Sequence, residues 1–231
     1  IKQKDGTVNK IDDKENGSSW QGPLVVLVNR RTSGGAELFA GAIQDHNRGI
    51  IVGDEFTNGI VTNMTIIPLA PNRQLGSVKL LWALMYRPSG EGVQGKGIRS
   101  DLALPSILDA LTKQEESGVK ARVFDRLPSA GFIPAEPNPV DDLVDQLKKK
   151  SGVRLNKNQE FRDLVKRLQD IKKRNQSGRV PLNEAEFEKE WKKGQVESTS
   201  LTADGEKSGW VKDFYMDEVL NIASDMCEIL N

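Results

Sequence analysis

Two short apolar runs, separated by a glycine turn and an amphipathic segment, constrain the fold of this sequence most. Residues 23–29 read P-L-V-V-L-V-N and residues 50–53 read I-I-V-G, both almost without polar interruption. Such runs are typical of strands buried on both faces of a parallel sheet. The segment between them, residues 36–45, spaces its apolar residues for one helical face: Leu38, Phe39, Ala42 and Ile43. This order predicts a βαβ unit and an α/β fold.

The rest of the chain divides by composition into three parts. Residues 60–69 and 77–87 are rich in β-branched and aromatic residues and predict two longer strands. A cluster of prolines then predicts a linker: Pro128, Pro134, Pro137 and Pro139. We therefore predict part of an α/β domain at residues 1–115, a Pro-rich linker at 116–139 and a helical domain at 140–231.

Charged segments with apolar residues at helical spacing follow the linker. They predict helices at residues 140–150, 158–174, 184–193 and 213–230. Asn183 and Asp213 are predicted N-caps. Two helices carry apolar stripes: Phe161, Leu164, Val165 and Leu168 in one, and Val219, Ile222, Ala223 and Met226 in the other. The stripes fit either a groove for a partner or packing of a small helical domain on its neighbour.

Composition excludes several classes of function. Lys+Arg 33 balances Asp+Glu 33 in 231 residues, so we expect no nucleic-acid partner. No run approaches the roughly 20 apolar residues of a membrane span. The single Cys227 predicts a packed thiol, and with one histidine, His46, no His/Cys metal cluster is expected. We predict His46 at a helix end and expect no cofactor. Because the chain begins at Ile1, we expect it to be a piece of a longer protein.

Two blocks of the sequence, residues 22–54 with the turn N-R-R-T-S-G-G-A-E and residues 86–105 with Q-G-K-G, together resemble the tail-specific, or carboxyl-terminal processing, protease family of Ser/Lys peptidases. Residues 22–54 are similar to the family's strand ending N-R, its S-A-S-A-S-E motif, its helix ending Q-D-Y-G-R and its strand V-V-G-E. Residues 86–105, Y-R-P-S-G-E-G-V-Q-G-K-G-I-R-S-D-L-A-L-P, resemble the family's Y-R-x-x-G-x-S-T-Q-x-K-G-V-x-P-D-I-x-x-P. The resemblance implies part of a crotonase/Clp-protease-like core followed by a mainly helical C-terminal region. It also implies a polypeptide substrate or ligand with an extended C-terminal segment and a bacterial periplasmic or cell-envelope location. It leaves peripheral membrane association and the oligomeric state open.

The resemblance also implies which positions would carry catalysis. The family uses a serine nucleophile, a lysine base, a glutamine that holds the lysine, and backbone N–H groups that stabilise the oxyanion. A gap-free match places these three side chains on Gly34, Gly59 and Asn63. Gly34 has no side chain to acylate, Gly59 has no amine, and Asn63 is one methylene shorter than glutamine. The match therefore predicts a scaffold without catalysis, which binds peptides or acts as a scaffolding module.

An active serine endopeptidase with an altered constellation is the alternative. Ser33 could be a displaced nucleophile, although a shift of one residue at a helix start swings a side chain by about 100°. Ser33 or Thr32 could equally be an N-cap. Lys79 or Lys96 could supply a base, but Lys96 matches the family's ordinary K-G pair and Lys79 is predicted on an outward strand position. A third hypothesis assigns the chain a structural or assembly role through its helical tail.

Overall fold

The structure is a computed structural model that describes residues 1–12, 17, 20–70, 75–111, 125–132, 140–177, 182–188 and 213–230. The strands are β1 (Lys2–Gln3), β2 (Val25–Val28), β3 (Ile50–Gly53), β4 (Thr62–Pro68), β5 (Ser77–Leu84) and β6 (Leu102–Ala103). The helices are α1 (Gly35–Asp45), α2 (Ile107–Leu111), α3 (Val140–Lys157), α4 (Gln159–Ser177), α5 (described over residues 184–188) and α6 (Phe214–Leu230).

The predicted βαβ unit is confirmed. Strand β2 pairs in parallel with β3, in a register that sets Val25 opposite Ile50 and Val28 opposite Gly53. Strand β6 pairs in parallel with the other side of β3, so β3 lies in the middle of this sheet and all four of its residues are buried. A continuous apolar run suits that position, because neither face nor edge of the strand meets water.

Helix α1 covers this sheet with a different face from the one predicted. Its buried residues are Glu37, Ala40 and Gly41, whereas Phe39 is 56% exposed. The prediction that Phe39 faces the core is therefore wrong. The helix lies so close to its neighbours that a Cβ on Gly41 would meet Ile98 at 3.0 Å. Two of the three inward residues, Ala40 and Gly41, are consequently small, and Leu38 and Ile43 pack at the margin of this face.

A second, antiparallel sheet has the strand order β1-β5-β4. Strands β4 and β5 pair along their whole length, from Thr62 opposite Leu84 to Pro68 opposite Ser77, with an irregularity between Asn63 and Met64. Both strands fall within the ranges predicted from their β-branched and aromatic residues.

The helical region packs on the parallel sheet. One core cluster joins side chains of β3 and β6 to side chains of α3 and α6. Its fully buried members include Ile50, Leu147 and Ile222. The apolar stripe of α6 is thus used in packing within the chain. Of the predicted linker, residues 125–132 are described, and the remainder lies outside the described residues.

Local signals at the helix ends are mostly confirmed. Asn183 accepts the Ala185 N–H at 3.0 Å and Asp213 accepts the Met216 N–H at 2.8 Å, as N-caps do. Helix α3 continues seven residues beyond the prediction, through Ser151, which is buried against its neighbours.

Cys227 is exposed, which makes the predicted packed thiol wrong. Helix α6 turns Ile222 and Met226 to the core, and this leaves Cys227 on the solvent side.

No helix in the described part of the chain is both long and apolar enough to cross a membrane.

Candidate active site

The turn between β2 and α1 places the predicted nucleophile position at the start of the helix. Gly34 is the N-cap of α1, with φ 66° and ψ −128°. A positive φ of this size favours glycine. A Cβ built on Gly34 or on Gly35 would have no heavy atom within 4 Å. The position is therefore open to solvent, carries no side chain, and keeps a backbone that an L-residue adopts only with strain.

Side chains before Gly34 close the turn and do not cap the helix. The Asn29 Oδ1 accepts the N–H groups of Arg31 and Thr32 at 2.9 and 3.1 Å. The Thr32 Oγ1 accepts the Asn29 N–H at 3.0 Å. The prediction that Ser33 or Thr32 is the N-cap is wrong, because Gly34 takes that position. Ser33 is exposed, and within the described residues its hydroxyl makes no hydrogen bond.

Glu37, in the first turn of α1, is a buried carboxylate that bonds to the segment after β3. Its Oε1 accepts the Gly59 N–H at 2.6 Å and the Thr57 hydroxyl. Its Oε2 accepts the Ile60 N–H at 3.0 Å and the Gly34 N–H at 3.2 Å. One side chain thus holds the backbone at both positions, Gly34 and Gly59, that the family resemblance assigns to the Ser/Lys dyad.

Sequence reasoning missed this role, because in the family match Glu37 is only the last residue of the segment similar to S-A-S-A-S-E. The signal that could have found it is an acidic residue at the third position of a helix, where a carboxylate can reach back to the N-cap N–H. Here that half of a capping box exists, and the other half is missing because glycine has no side chain.

Thr57 extends the same network to a third segment. Its hydroxyl donates to Glu37 and accepts the Ile98 N–H at 2.8 Å. Thr57 is fully buried, and its own N–H donates to the Ile98 carbonyl at 3.0 Å. The glycine-rich loop before Ile98 is in this way fixed against the candidate site.

Gly59, the predicted base position, has no room for a side chain. It has φ 80°, and a Cβ there would lie 2.9 Å from the Gly97 nitrogen and 3.3 Å from Gly95 backbone atoms. Its carbonyl accepts the Gly95 N–H at 2.8 Å. The next residue, Ile60, is 50% exposed, and its carbonyl accepts the Gly34 N–H at 2.9 Å. Ile60 therefore lies directly beside the nucleophile position.

The amide that touches the loop between Gly59 and β4 belongs to Gln94 and not to Asn63, the glutamine position of the family match. Asn63 lies partly buried on β4, opposite Ala83, and its side chain makes no hydrogen bond to the described residues. Instead, the Gln94 Oε1 accepts the Val61 N–H at 2.9 Å. Gln94 belongs to the second family block, but nothing local in the sequence shows that it reaches across to Val61.

The remaining candidates lie elsewhere. Lys79 and Lys96 are exposed, and neither ammonium donates a hydrogen bond within the described part of the chain. His46 caps the far end of α1 with its ring 4.7 Å from that of Phe132, which confirms the predicted helix-end position. Among the described residues no group of three or more His, Cys, Asp or Glu side chains could hold a metal ion.

Two further carboxylates hold the strand ends next to the site. Asp54, directly after β3, is buried and accepts the Arg30 N–H at 2.7 Å. Burial raises the pKa of the Asp54 carboxyl, and hydrogen bonds from Ser106 and the Arg30 backbone offset only part of that rise. The Arg30 guanidinium pairs with Asp109 at 2.6 Å. These bonds fix Arg30, which lies between the end of β2 and Gly34.

Two family models match this chain. Residues 1–104 match peptidase family S41, and residues 115–228 match the C-terminal domain of tail specific protease. The Tail-specific protease of Haemophilus influenzae is 29% identical over 93% of this chain and 34% of its own length. The Carboxy-terminal-processing protease of Bartonella bacilliformis is 33% identical over 61% of this chain and 34% of its own length. The chain thus spans about a third of the length of these curated relatives.

Solved structures match over shorter stretches. The photosystem II D1 C-terminal processing protease is 37% identical with a TM-score of 0.32, covering 36% of this chain and 20% of that one. Together the two family models account for the α/β part and the helical part in the same order. The chain belongs to the tail-specific protease family.

Proposed function

We propose that this chain is part of a tail-specific protease family protein that binds polypeptides without cleaving them. The observation that carries the proposal is Gly34 at the start of α1, where the family resemblance requires the nucleophile. Acyl transfer needs a hydroxyl, thiol or amine that can form a covalent bond to the scissile carbonyl. Glycine offers none.

The catalytic base is missing in either of two alignments of this chain with the family motif. The gap-free match assigns it to Gly59, which has no amine and no space for a side chain. A shift of one residue assigns it to Ile60, whose carbonyl is bonded to the Gly34 N–H but whose side chain is apolar. Neither residue can take a proton from a hydroxyl, so proton transfer and acylation are lost together.

The backbone around the site is retained, and this supports a binding role. The four hydrogen bonds to Glu37 hold the helix start against the segment that enters β4. A polypeptide can bind such a scaffold through main-chain hydrogen bonds at a sheet edge, and these need no catalytic side chain. The proposed ligand is therefore an extended peptide with an apolar C-terminus.

Hydrolysis by Ser33 is the competing function, and the exposure of the Ser33 hydroxyl favours it. Against it, the exposed side chains of Lys79 and Lys96 make no hydrogen bond to Ser33 in the described part of the chain. Loss of one member of a nucleophile–base pair costs serine proteases factors on the order of 10⁴ to 10⁶ in rate.

We propose in addition that the protein acts in the bacterial cell envelope, in the periplasm. The relatives from Haemophilus influenzae and Bartonella bacilliformis support a bacterial setting. Fractionation of the native organism, with the protein detected by antibody, would test this location independently of its activity.

The test of function uses the full-length protein, a fluorophosphonate probe and a peptide with an apolar C-terminus. We expect no labelled serine, and binding of the peptide with its mass unchanged after prolonged incubation. Labelling or hydrolysis that disappears in Ser33→Ala, and persists in the control Ser224→Ala on the exposed side of α6, would establish the competing function instead.

A further inference from the structure

Strand β4 lies at the outside of the antiparallel sheet. The strand order β1-β5-β4 gives it one neighbour, β5, and within the described residues its other edge has no paired strand. An outer strand presents a row of backbone N–H and C=O groups that another extended chain can bond. The strand has seven residues, which is enough to hold a peptide of similar length.

The hydrogen-bond alternation shows which residues direct their backbone outward. The Leu69 N–H donates to the Gly76 carbonyl at 3.1 Å. Leu69 directly follows β4 and Gly76 directly precedes β5, so these two residues form a hydrogen-bonded pair of the ladder. Residues opposite each other in an antiparallel ladder alternate between bonded and non-bonded pairs. Thr65 and Ile67 therefore bond to β5, whereas Met64 and Ile66 point their N–H and C=O groups to the outer edge.

The side chains along this edge are apolar and exposed. Met64 is 45% exposed, Ile66 is 66% exposed on the same face, and Ile67 is 45% exposed on the opposite face. The strand sequence T-N-M-T-I-I-P contains no charged residue. Proteins commonly protect a free edge strand with charged side chains, proline or a bulge. In β4 the proline is the last residue, Pro68, and the irregularity lies before Met64, so the stretch from Met64 to Ile67 has none of these protections.

The strand starts at the candidate active site. The Ile60 carbonyl accepts the Gly34 N–H at 2.9 Å, and β4 begins two residues later at Thr62. A strand added to the outer edge of β4 would therefore run along a line that starts beside Gly34.

We propose that the outer edge of β4 binds an extended segment of an apolar polypeptide as an additional strand, with main-chain bonds to Met64 and Ile66. This inference rests on the proposed function and assigns its peptide to one strand. Affinity comes from the main-chain bonds, and alternate apolar side chains of the peptide pack beside Met64 and Ile66 on one face and Ile67 on the other.

The experiment measures fluorescence anisotropy of a labelled peptide of alternating Val and Leu, with lysines at its N-terminus for solubility, on the full-length protein. Ile66→Pro removes the outward N–H without removing a bond of the β4–β5 ladder, as proline requires at an edge strand. Ile66→Val is the matched control, because it keeps the N–H and most of the side chain. We expect Ile66→Pro to weaken binding about tenfold or more and Ile66→Val to change it about twofold at most.

A second probe covers the case in which Ile66→Pro disturbs the fold. The same peptide, N-methylated at alternate residues, loses its own donors on one edge, and we expect the unaltered protein to bind one of the two methylation phases at least about tenfold more weakly. Equal binding of both N-methylated peptides and the parent peptide would overturn the assignment to β4. In that case the proposed function still stands if the parent peptide binds uncleaved.

Pairing of β4 with β4 of a second copy is the other use of such an edge. It would appear in sedimentation as a dimer that Ile66→Pro dissociates and that does not bind the parent peptide. That result would overturn the proposed peptide site.

Discussion

The Glu37 carboxylate accepts the N–H of Gly59 at 2.6 Å. Through its other oxygen it accepts the N–H of Gly34 at 3.2 Å. Both glycines stand where the family resemblance requires the nucleophile and the base, and one buried side chain holds the backbone of each. The arrangement of the site therefore depends on Glu37 and not on the two missing side chains.

Replacing Glu37 with Gln should destabilise the protein by about 2 to 4 kcal/mol. The amide keeps one acceptor oxygen but turns an NH₂ group toward backbone donors, which leaves buried N–H groups without partners. Urea unfolding followed by tryptophan fluorescence would measure the change. Glu91→Gln is the control, since Glu91 is exposed and lies 3.8 Å from Arg126, and we expect a change within about 0.5 kcal/mol. Equal stability of the two variants would contradict the role given to Glu37.

A methyl group at Gly59 should cost far more than one at Gly34. Both have positive φ, so both alanine variants carry backbone strain of about 1 to 3 kcal/mol. Only at Gly59 does the added Cβ approach another backbone, 2.9 Å from the Gly97 nitrogen. We expect Gly34→Ala to fold with a modest loss and Gly59→Ala to lose at least about 2 kcal/mol more. Thermal unfolding of the two variants, measured side by side, tests the difference, and similar melting temperatures would refute it.

The βαβ unit could be predicted because its signals are local. The apolar run of β2, the periodicity of α1 and the short run of β3 each report burial along a few consecutive residues. The same local signals gave the caps at Asn183 and Asp213. They failed at Phe39, because the inward face of α1 is decided by how closely that helix approaches its neighbours. They failed at Cys227, because α6 turns Ile222 and Met226 to the core.

The bonding of the candidate site could not be predicted from the sequence, because its partners come from distant segments. Glu37 bonds to residues about 20 positions away, Thr57 bonds to Ile98, and Gln94 bonds to Val61. The lack of room at Gly59 likewise depends on the loop around Gly95 and Gly97. A motif alignment indicates which residue types changed, whereas only the packed structure shows whether a side chain could be accommodated.

The contact between α3 and α6 should weaken in acid. Burial alone would raise the pKa of the Asp225 carboxyl, but hydrogen bonds from Lys150 and Arg154 outweigh burial and hold the pKa below its ordinary value of 3.8. A carboxyl with a lowered folded-state pKa stabilises the fold above its ordinary pKa, and this contribution is lost as the pH falls through the folded-state value. We expect stability to decline below about pH 4.

Asp225→Asn tests this assignment. The variant should be less stable than the unaltered protein at pH 7 by about 1 to 3 kcal/mol, because Arg154 loses an ionised acceptor at 2.6 Å. The difference should shrink toward acid pH, since the carboxyl of the unaltered protein is then protonated as well. Urea unfolding at several pH values would show it, with Asp170→Asn, at an exposed position on α4, as the control. A difference that stays constant with pH would contradict the ionised pair.

Restoring a serine at position 34 should not restore acylation. Gly34→Ser has space for its side chain, as no heavy atom lies within 4 Å of the added Cβ, and only the positive φ opposes it. The new hydroxyl would stand beside Ile60, with no amine there to take its proton, so a fluorophosphonate probe should leave it unlabelled in intact-mass spectra. Gly35→Ser, at the neighbouring open position, is the control for non-specific labelling. Selective labelling at position 34 would show that a base already acts in this site, and the chain would then lack only its nucleophile.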